Sequence, residues 1–430
     1  MIGWLFISFF VMLFLGVPIA ACLGLAAIIA LVATGTGVNL IIAAQTMFNG
    51  VSSYPLMAIP FFILAGNLMG DGGLSKKLVN FIGMFFTRFR GGLASVTIVA
   101  SMFFAAISGS CPATTAAIGS IMVPEMEEAG YGKDFAAATA SAAGTVGQVI
   151  PPSIPMVTYC VLAECSVSTL FLAGFGPGIL MGLFMMIYAY YYAVKNKVPV
   201  VKQELSGKKV LKTFFDSLWA LLMPIIILGG IYSGSFTPTE AGAMASLYGL
   251  ICGLFIYRTL DWRKIPDILL KTAIASAVIM LIMGAVSTFG YVLTRGHIPA
   301  IIANSLLSLT KSKVVLLLLF NIIVLFAGMF LSSSAAVALL TPILLPVLTS
   351  VGISPYVVGI VFIVNMGIGM ITPPVGNCLY VGCNIAKIKF EQLVKATVPY
   401  IIMEVIALML ITYVEPISMG LIWLTGAKMI

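Results

Sequence analysis

Apolar positions run along this chain in long blocks, not in the short alternations of a soluble fold. Residues 4–32, 41–70, 170–194, 213–232, 238–257, 268–293 and 390–414 are near-continuous runs of Leu, Ile, Val, Phe, Met, Ala and Gly. Each reaches the roughly 20 residues that an α-helix needs to cross the hydrocarbon of a bilayer. Residues 74–90 are amphipathic and end in the basic "FFTRFR". Four further blocks are apolar but interrupted: 93–124 by "SGSCPATT", 135–163 by "GQVIPPSIP", 314–349 by "SSS" and 355–386 by "TPPVGN". The pattern predicts an all-α polytopic membrane protein with four broken elements.

Composition agrees. Of 430 residues, 61% are hydrophobic and 8% charged, against roughly 25% charged in soluble domains. The net charge of +8 reads as loop bias toward the cytoplasm, with the bilayer as partner and no nucleic acid. The 195–212 loop carries Lys195, Lys197, Lys202, Lys208, Lys209 and Lys212; the 258–271 loop carries Arg258, Arg263, Lys264 and Lys271. Both are expected inside. Tracing back from Lys195, block 93–124 begins and ends inside, so it is expected to be a re-entrant hairpin. By the same tracing, 314–349 begins and ends outside as a second hairpin, with Lys311 and Lys313 outside against the bias. The N-terminal run lacks a basic leader and is too long for a cleaved signal core, so it is expected to be a retained first span. Any soluble domain is expected in another chain.

The chain repeats itself. Pro124 and Pro346 are 222 residues apart, and so are the double prolines 151–152 and 373–374, Ser110 and Ser332, Gly130 and Gly352, and Gly147 and Gly369. Each half then reads span, span, hairpin, broken span, span. The first is 1–194 and the second 238–430, with a basic loop and one connecting span in 195–237. One connector inverts the second half relative to the first, the inverted-topology repeat of many secondary transporters. Scaffold and transport domains would interleave both repeats.

The breaks are where chemistry is expected. An opened helix in hydrocarbon leaves N–H and C=O groups unpaired, at several kcal/mol each. It survives where protein, water or a ligand satisfies those groups. Half-helix N-termini favour anions, while freed carbonyls and hydroxyls are hard ligands for Na⁺. In the first half this selects Ser108, Gly109, Ser110, Thr114 and Thr115 at the hairpin tip, facing Gly144, Gly147, Gln148, Pro151, Pro152 and Ser153. In the second half it selects Ser332, Ser333 and Ser334, facing Asn365, Gly367, Gly369, Thr372, Pro373, Pro374, Gly376 and Asn377. One serine alone is ordinary helix packing; clustered hydroxyls at two symmetry-related breaks are not. Neutral oxygens suit Na⁺ as coupling ion better than a proton relay. The ionisable candidates within spans are Glu164, Glu240, Glu404 and Glu415, of which Glu240 reads as a cap for the helix starting at Pro238. The seven cysteines read as buried inert thiols, and His297 falls in an interfacial loop.

Several stretches resemble the large membrane subunit of TRAP transporters, the tripartite ATP-independent periplasmic carriers. They are "MAIPFFILAGNLM" (57–69), "SGSCPATTAAIGSIMVPEM" (108–126), "GQVIPPSIPMVTY" (147–159), "AGFGPGILMGL" (173–183), "FTPTEAGAMA" (236–245) and "NMGIGMITPPVGNCLYV" (365–381). The resemblance implies a fold similar to the divalent-anion/sodium symporters, with a transport domain moving like an elevator. It implies Na⁺ sites at Ser108, Ser110, Ser332, Ser333, Gly369 and Thr372, to which the reading of the breaks adds Gly144 and Gly147. Acid binding is implied at Ser108 and Ser153, to which the reading of the breaks adds Thr114, Gln148, Pro152 and Asn377. The implied partners are a small four-span membrane subunit, here a separate chain or outside the sequence given, and a soluble periplasmic binding protein that delivers the acid. The implied place is the bacterial inner membrane. Ser332 and Asn67 stand where many members carry acidic residues, so a role needing that charge does not carry over. The expected function is Na⁺-coupled import of an organic acid, with sialic acid favoured over C4-dicarboxylates. A stand-alone carrier or exchanger is the alternative. A channel would take its selectivity ring from oligomer symmetry, and an enzyme would need a metal trio or a nucleophile with its base; neither fits a single-histidine internal repeat.

Overall fold

The structure, a computed structural model, describes residues 2–34, 40–200, 207–302, 310 and 312–426; Lys202 and Lys311 lie outside the described residues. The described residues are helical, with no strand among them. In chain order the helices are α1 (Ile2–Phe14), α2 (Ile19–Ala33), α3 (Ile41–Val51), α4 (Ala58–Asp71), α5 (Leu74–Phe86), α6 (Gly92–Ser108), α7 (Cys111–Glu128), α8 (Lys133–Thr145), α9 (Ile154–Ala163) and α10 (Val167–Lys195). They continue as α11 (Gly207–Tyr232), α12 (Pro238–Ile251), α13 (Ile265–Arg295), α14 (Lys313–Gly328), α15 (Ser333–Ser350), α16 (Pro355–Gly369), α17 (Asn377–Ala386), α18 (Phe390–Tyr413) and α19 (Glu415–Thr425). Among the described residues six helices are long and apolar enough to cross a membrane, or seven when α3 and α4 count as one bent span.

Three features depart from the apolar pattern. The N-terminal block 4–32 is not one span. It turns at Gly16, whose φ of 78° lies in the left-handed region, and restarts after Pro18, so α1 and α2 pack against each other. Block 41–70 is bent by 61° between α3 and α4, where the chain leaves the helix at Ser52 and re-enters through a 3₁₀ turn at Tyr54–Met57. A further helix, α19, follows the last apolar block and packs on α10.

Both expected hairpins are present. Thr97 on α6 donates to Met126 Sδ on α7 at 3.4 Å, far from the tip, so the two helices run antiparallel. Lys313 Nζ at the start of α14 donates to the carbonyl of Gly352, just past the end of α15, at 3.4 Å, which closes the base of the second hairpin. At 17 residues α6 rises about 25 Å, short of the ~30 Å hydrocarbon core, as a re-entrant element should be. Helices α7 and α15 have the same 18-residue length, and their bounds coincide under the 222-residue shift. Glycines 130 and 352 follow them with φ of 88° and 77°. The two double prolines, each joined by a cis peptide bond, open both broken elements.

The halves interlock. Helix α9, after the first break, packs on α15 of the second hairpin; α17, after the second break, packs on α7 of the first. Helices α2, α3, α4, α12 and α13 pack together as a second group, which meets the hairpins where α4 touches α6 and α13 touches α15; α11 packs on α12 and on α5. As expected, Glu240 caps α12: its Oε2 accepts from the Thr237 N–H at 2.8 Å while Thr237 Oγ1 accepts from the Glu240 N–H at 3.3 Å.

The second hairpin approaches α16 backbone to backbone. A Cβ on Gly369 would lie 2.6–2.7 Å from the backbone of Gly328. Gly369→Val is therefore expected to destabilise the detergent-solubilised protein by about 1–3 kcal/mol, the range for overpacking. Thermal unfolding followed by intrinsic fluorescence measures this; an unchanged midpoint would contradict the close packing.

Candidate functional site

The first hairpin reverses at Gly109, whose φ of 59° is left-handed. A Cβ there would come within 2.9 Å of the Pro152 carbonyl, so only glycine lets the tip rest on the first break. The Ile154 N–H donates to the Gly109 carbonyl at 3.4 Å. Ser110 is the N-cap of α7 but its side chain caps nothing, and Pro112 supplies no N–H to the first turn. Ser108 Oγ and Thr114 Oγ1 share a 2.8 Å hydrogen bond. Behind them Gly147 leaves room: a Cβ there would lie 2.6 Å from Thr114 Oγ1 and 2.7 Å from the Ser110 carbonyl. A Cβ on Gly144 would overlap Thr115 Oγ1. The structure thus brings Ser108, Ser110, Thr114, Gly144 and Gly147 together, with Pro152 and Ser153 against the tip. Ser153 caps α9, its Oγ accepting from the Met156 N–H at 3.3 Å, which leaves its own proton to donate.

The second tip is built the same way. Ser332 is the N-cap of α15; it is exposed and its side chain caps nothing. The Val375 N–H of the second break donates to the Met329 carbonyl at 3.3 Å, so this break too leans on its tip through one backbone bond, though one to two residues off the 222-residue register of Ile154–Gly109. Thr372 Oγ1 donates to the Ile368 carbonyl at 2.7 Å, and its lone pairs stay free. Asn377, half-buried, opens α17 behind Gly376, whose φ is 58°.

One residue joins the two tips. The last turn of α8 tightens into a 3₁₀ turn at Val146–Gln148, and Gln148 is 2% exposed. Its Nε2 donates to the Ile363 carbonyl on α16 at 3.1 Å, and its Oε1 accepts from Ser333 Oγ at 2.7 Å. Gly147 therefore touches one tip while Gln148 holds the other. Of the residues expected to face the acid, Gln148 has both amide ends engaged within the protein. Of the cation candidates, Ser333 has its proton committed to Gln148 and offers only lone pairs.

A polar chain lies behind the second tip. Asn365 Nδ2 donates to Asn321 Oδ1 at 2.7 Å and to the Val361 carbonyl at 2.8 Å, and Asn321 Nδ2 donates to Thr412 Oγ1 at 3.1 Å. Asn365 Oδ1 is buried and makes no hydrogen bond. That orphaned amide oxygen, two residues from Gly367, is the kind of atom a hard cation takes.

A cleft of about 430 Å³ opens beside the first tip, between α4–α5 and α7. Gly66, Asn67, Asp71, Lys76, Ala116 and Ser120 are among its walls. A Cβ on Gly66 would lie 3.2 Å from the Ser108 Cα, so the cleft starts at the tip. Asn67 Nδ2 donates to Thr272 Oγ1 on α13 at 3.0 Å, which fixes that wall to α13. Sequence reasoning did not single out Gly66, Thr145 or Gly328. Their only signal is a small or polar residue beside a motif.

Two re-entrant tips facing two helix breaks, in a chain with several membrane-crossing helices, define a membrane carrier. The comparisons place it further. The model of the tripartite ATP-independent periplasmic transporter, DctM component, matches residues 6–417, and the chain belongs to this family. It is 44% identical over 415 residues to the isethionate TRAP transporter permease protein DctMQ of Oleidesulfovibrio alaskensis, covering 96% of this chain but 65% of that relative. It is 40% identical to the C4-dicarboxylate TRAP transporter large permease protein DctM of Pseudomonas aeruginosa, covering 88% of each. It is 37% identical to the sialic acid TRAP transporter large permease protein SiaM of Vibrio cholerae, covering 95% of this chain and 94% of that relative. These relatives are transporter permeases, not enzymes. In fold the chain is similar to the crystal structure of the Alcanivorax borkumensis YdaH transporter, with a TM-score of 0.65 at 16% identity over 90% of this chain and 89% of that one.

The Gln148–Ser333 bond is testable by a double-mutant cycle. Gln148→Ala and Ser333→Ala are each expected to lower unfolding stability, with a coupling of about 1–2 kcal/mol between them. Strict additivity would contradict the bridge.

Proposed function

We propose that this chain is the permease of a Na⁺-coupled importer of an organic acid anion, which a soluble periplasmic binding protein delivers. A small four-span subunit accompanies it in the bacterial inner membrane. The observation that carries the proposal is that each hairpin tip rests on a helix break, Gly109 on Ile154 and Met329 on Val375, while Gln148 ties the first break to the second tip. Every side chain contributed there is uncharged, and carbonyls, hydroxyls and the free Asn365 Oδ1 are in excess. Such a donor set fits Na⁺. Ser108, Ser110 and the backbone at Gly144 and Gly147 would hold one ion; Ser332, Ser333, Gly369 and Thr372 would hold another. The ions supply charge compensation and driving force. With two Na⁺ and a monoanion, one net charge moves inward, worth about 2.3 kcal/mol per 100 mV.

The acid's anionic group, carboxylate or sulfonate, would lie between the first tip and the first break, where Ser153 still has a proton to donate and the α9 N-terminus points. Thr114, Pro152 and Asn377 would shape that space. The names of the relatives cover isethionate, C4-dicarboxylates, sialic acid and 2,3-diketo-L-gulonate, all organic anions. The proposal therefore stays at that class, with sialic acid one member of it. Residues 1–194 and 238–430 are proposed as the inverted repeats. Hairpins, breaks, α10 and α18 form the proposed moving body against α1–α4 and α11–α13, elevator fashion. The cleft from Ser108 to Lys76 is the proposed way out on the basic-loop side.

Uptake into proteoliposomes carrying the permease, the small subunit and a cognate binding protein tests the proposal. Uptake should need both an inward Na⁺ gradient and the binding protein. Uptake without the binding protein would favour a stand-alone carrier; uptake without Na⁺ would end the coupling assignment. Ser110→Ala and Ser332→Ala should each raise the half-saturating Na⁺ concentration by about tenfold, the loss of one good ligand. Na⁺ titrations that match the wild type in both variants would refute the site assignment.

A further inference from the structure

Glu404 on α18 is fully buried, 0% exposed, in the middle of the helix packed on α8. Its Oε1 lies 2.8 Å from Thr145 Oγ1, and Thr145 Oγ1 lies 2.7 Å from the Ala142 carbonyl. Glu404 Oε2 makes no hydrogen bond. The Thr145 hydroxyl has one proton, and a backbone carbonyl has none to give. Two short oxygen–oxygen contacts need two protons. If Thr145 donates to Ala142, the second proton belongs to the carboxyl and points at Thr145 Oγ1.

The surroundings agree with an uncharged acid. Cys111 on α7 faces the same point, its Sγ donating to the Thr145 carbonyl at 3.3 Å, and Cys378 on α17 faces Glu404. From α10 Tyr188 packs on Tyr400, one turn away on α18 itself, with Tyr192 against Tyr188, and Thr139 of α8 shares a 2.7 Å hydrogen bond with the Tyr400 hydroxyl. The charged groups of α8, Lys133 and Asp134, stand at its far end, and the acid of α19, Glu415, at the far end of α18. From α16 the titratable group is Tyr356, at that helix's opposite end. Among the described residues the ion pair recorded is Lys133 with Glu127, so no cation compensates Glu404. A bare carboxylate oxygen there would be a buried charge without partner.

Thr145 is the last residue of α8, immediately before the 3₁₀ turn that carries Gly147 and Gln148. We propose that Glu404 is a positioning residue for the first break and acts as the neutral acid. Its proton fixes the Thr145 hydroxyl toward Ala142. That holds the end of α8 where Gly144 and Gly147 face Ser108, Ser110 and Thr114, and where Gln148 reaches Ser333. The inference rests on the reading of the first tip as a transport site.

The test compares wild type, Glu404→Gln and Glu404→Leu as full chains in the reconstituted assembly, reading uptake rate and half-saturating Na⁺ across external and internal pH. Glutamine keeps an N–H for Thr145 at constant shape, so Glu404→Gln should stay within about twofold of wild type; Glu404→Leu should lose about tenfold. Raising pH ionises the acid, so wild-type uptake should fall on the alkaline side while Glu404→Gln stays flat. A shared pH profile in wild type and Glu404→Gln, or equal damage from both substitutions, would overturn the assignment. Should Glu404→Leu not fold, the wild-type against Glu404→Gln pH comparison still decides. Na⁺-independent wild-type uptake would strike the Na⁺ reading instead, and the pH comparison of uptake rates would still judge Glu404.

Discussion

An opened helix inside a bilayer has no water to complete its hydrogen bonds, and the whole arrangement follows from how this chain meets that constraint. Each break leans on a hairpin tip through one backbone hydrogen bond, Ile154 to Gly109 and Val375 to Met329. Gln148 then ties the first break to the second tip and to α16. Without these contacts the freed groups would lie unpaired in an apolar interior. With them, the groups left over are concentrated at two places that face the tips.

The interlock gives this local solution a larger consequence. Because α9 packs on α15 and α17 on α7, neither hairpin belongs only to its own half. Any movement of one tip is shared with the opposite break. Packed interfaces of this kind shift between discrete arrangements and do not deform continuously. In the proposed function, that makes ion occupancy at one tip felt at the other and lets the site travel as a unit past the α4 and α13 group. Small residues permit backbone-level approach where a side chain would jam: Gly66 of α4 against Ser108 of the first tip, and, between the second hairpin and its own break, Gly328 against Gly369.

Much of the architecture was legible in the sequence because membrane helices announce themselves by block length and their breaks by clustered Pro, Gly and Ser. The two hairpins, the two breaks and the Glu240 cap follow from residues close together in the chain. The N-terminal block hid its turn because Gly16 and Pro18 are common within apolar runs, and the bend between α3 and α4 rests on only Ser52, Ser53 and Pro55. What could not be read were contacts between the halves. Gln148 and Ser333 are 185 residues apart, and Thr145 and Glu404 are 259 apart. Gln148 reads as a ligand in isolation, since nothing local reveals that both ends of its amide are taken. Glu404 was visible as a rare intramembrane acid, but its partner was not.

The central claim is that the uncharged oxygens at the two tips hold Na⁺. Equilibrium binding of radioactive ²²Na⁺ to the purified permease, competed with unlabelled Na⁺ and with K⁺, tests it most directly. The account predicts saturable binding displaced by Na⁺ and not by K⁺, and a loss of sites when Gly147→Val fills the space between Thr114 and the Ser110 carbonyl. Absence of saturable Na⁺ binding to the wild-type protein would contradict it.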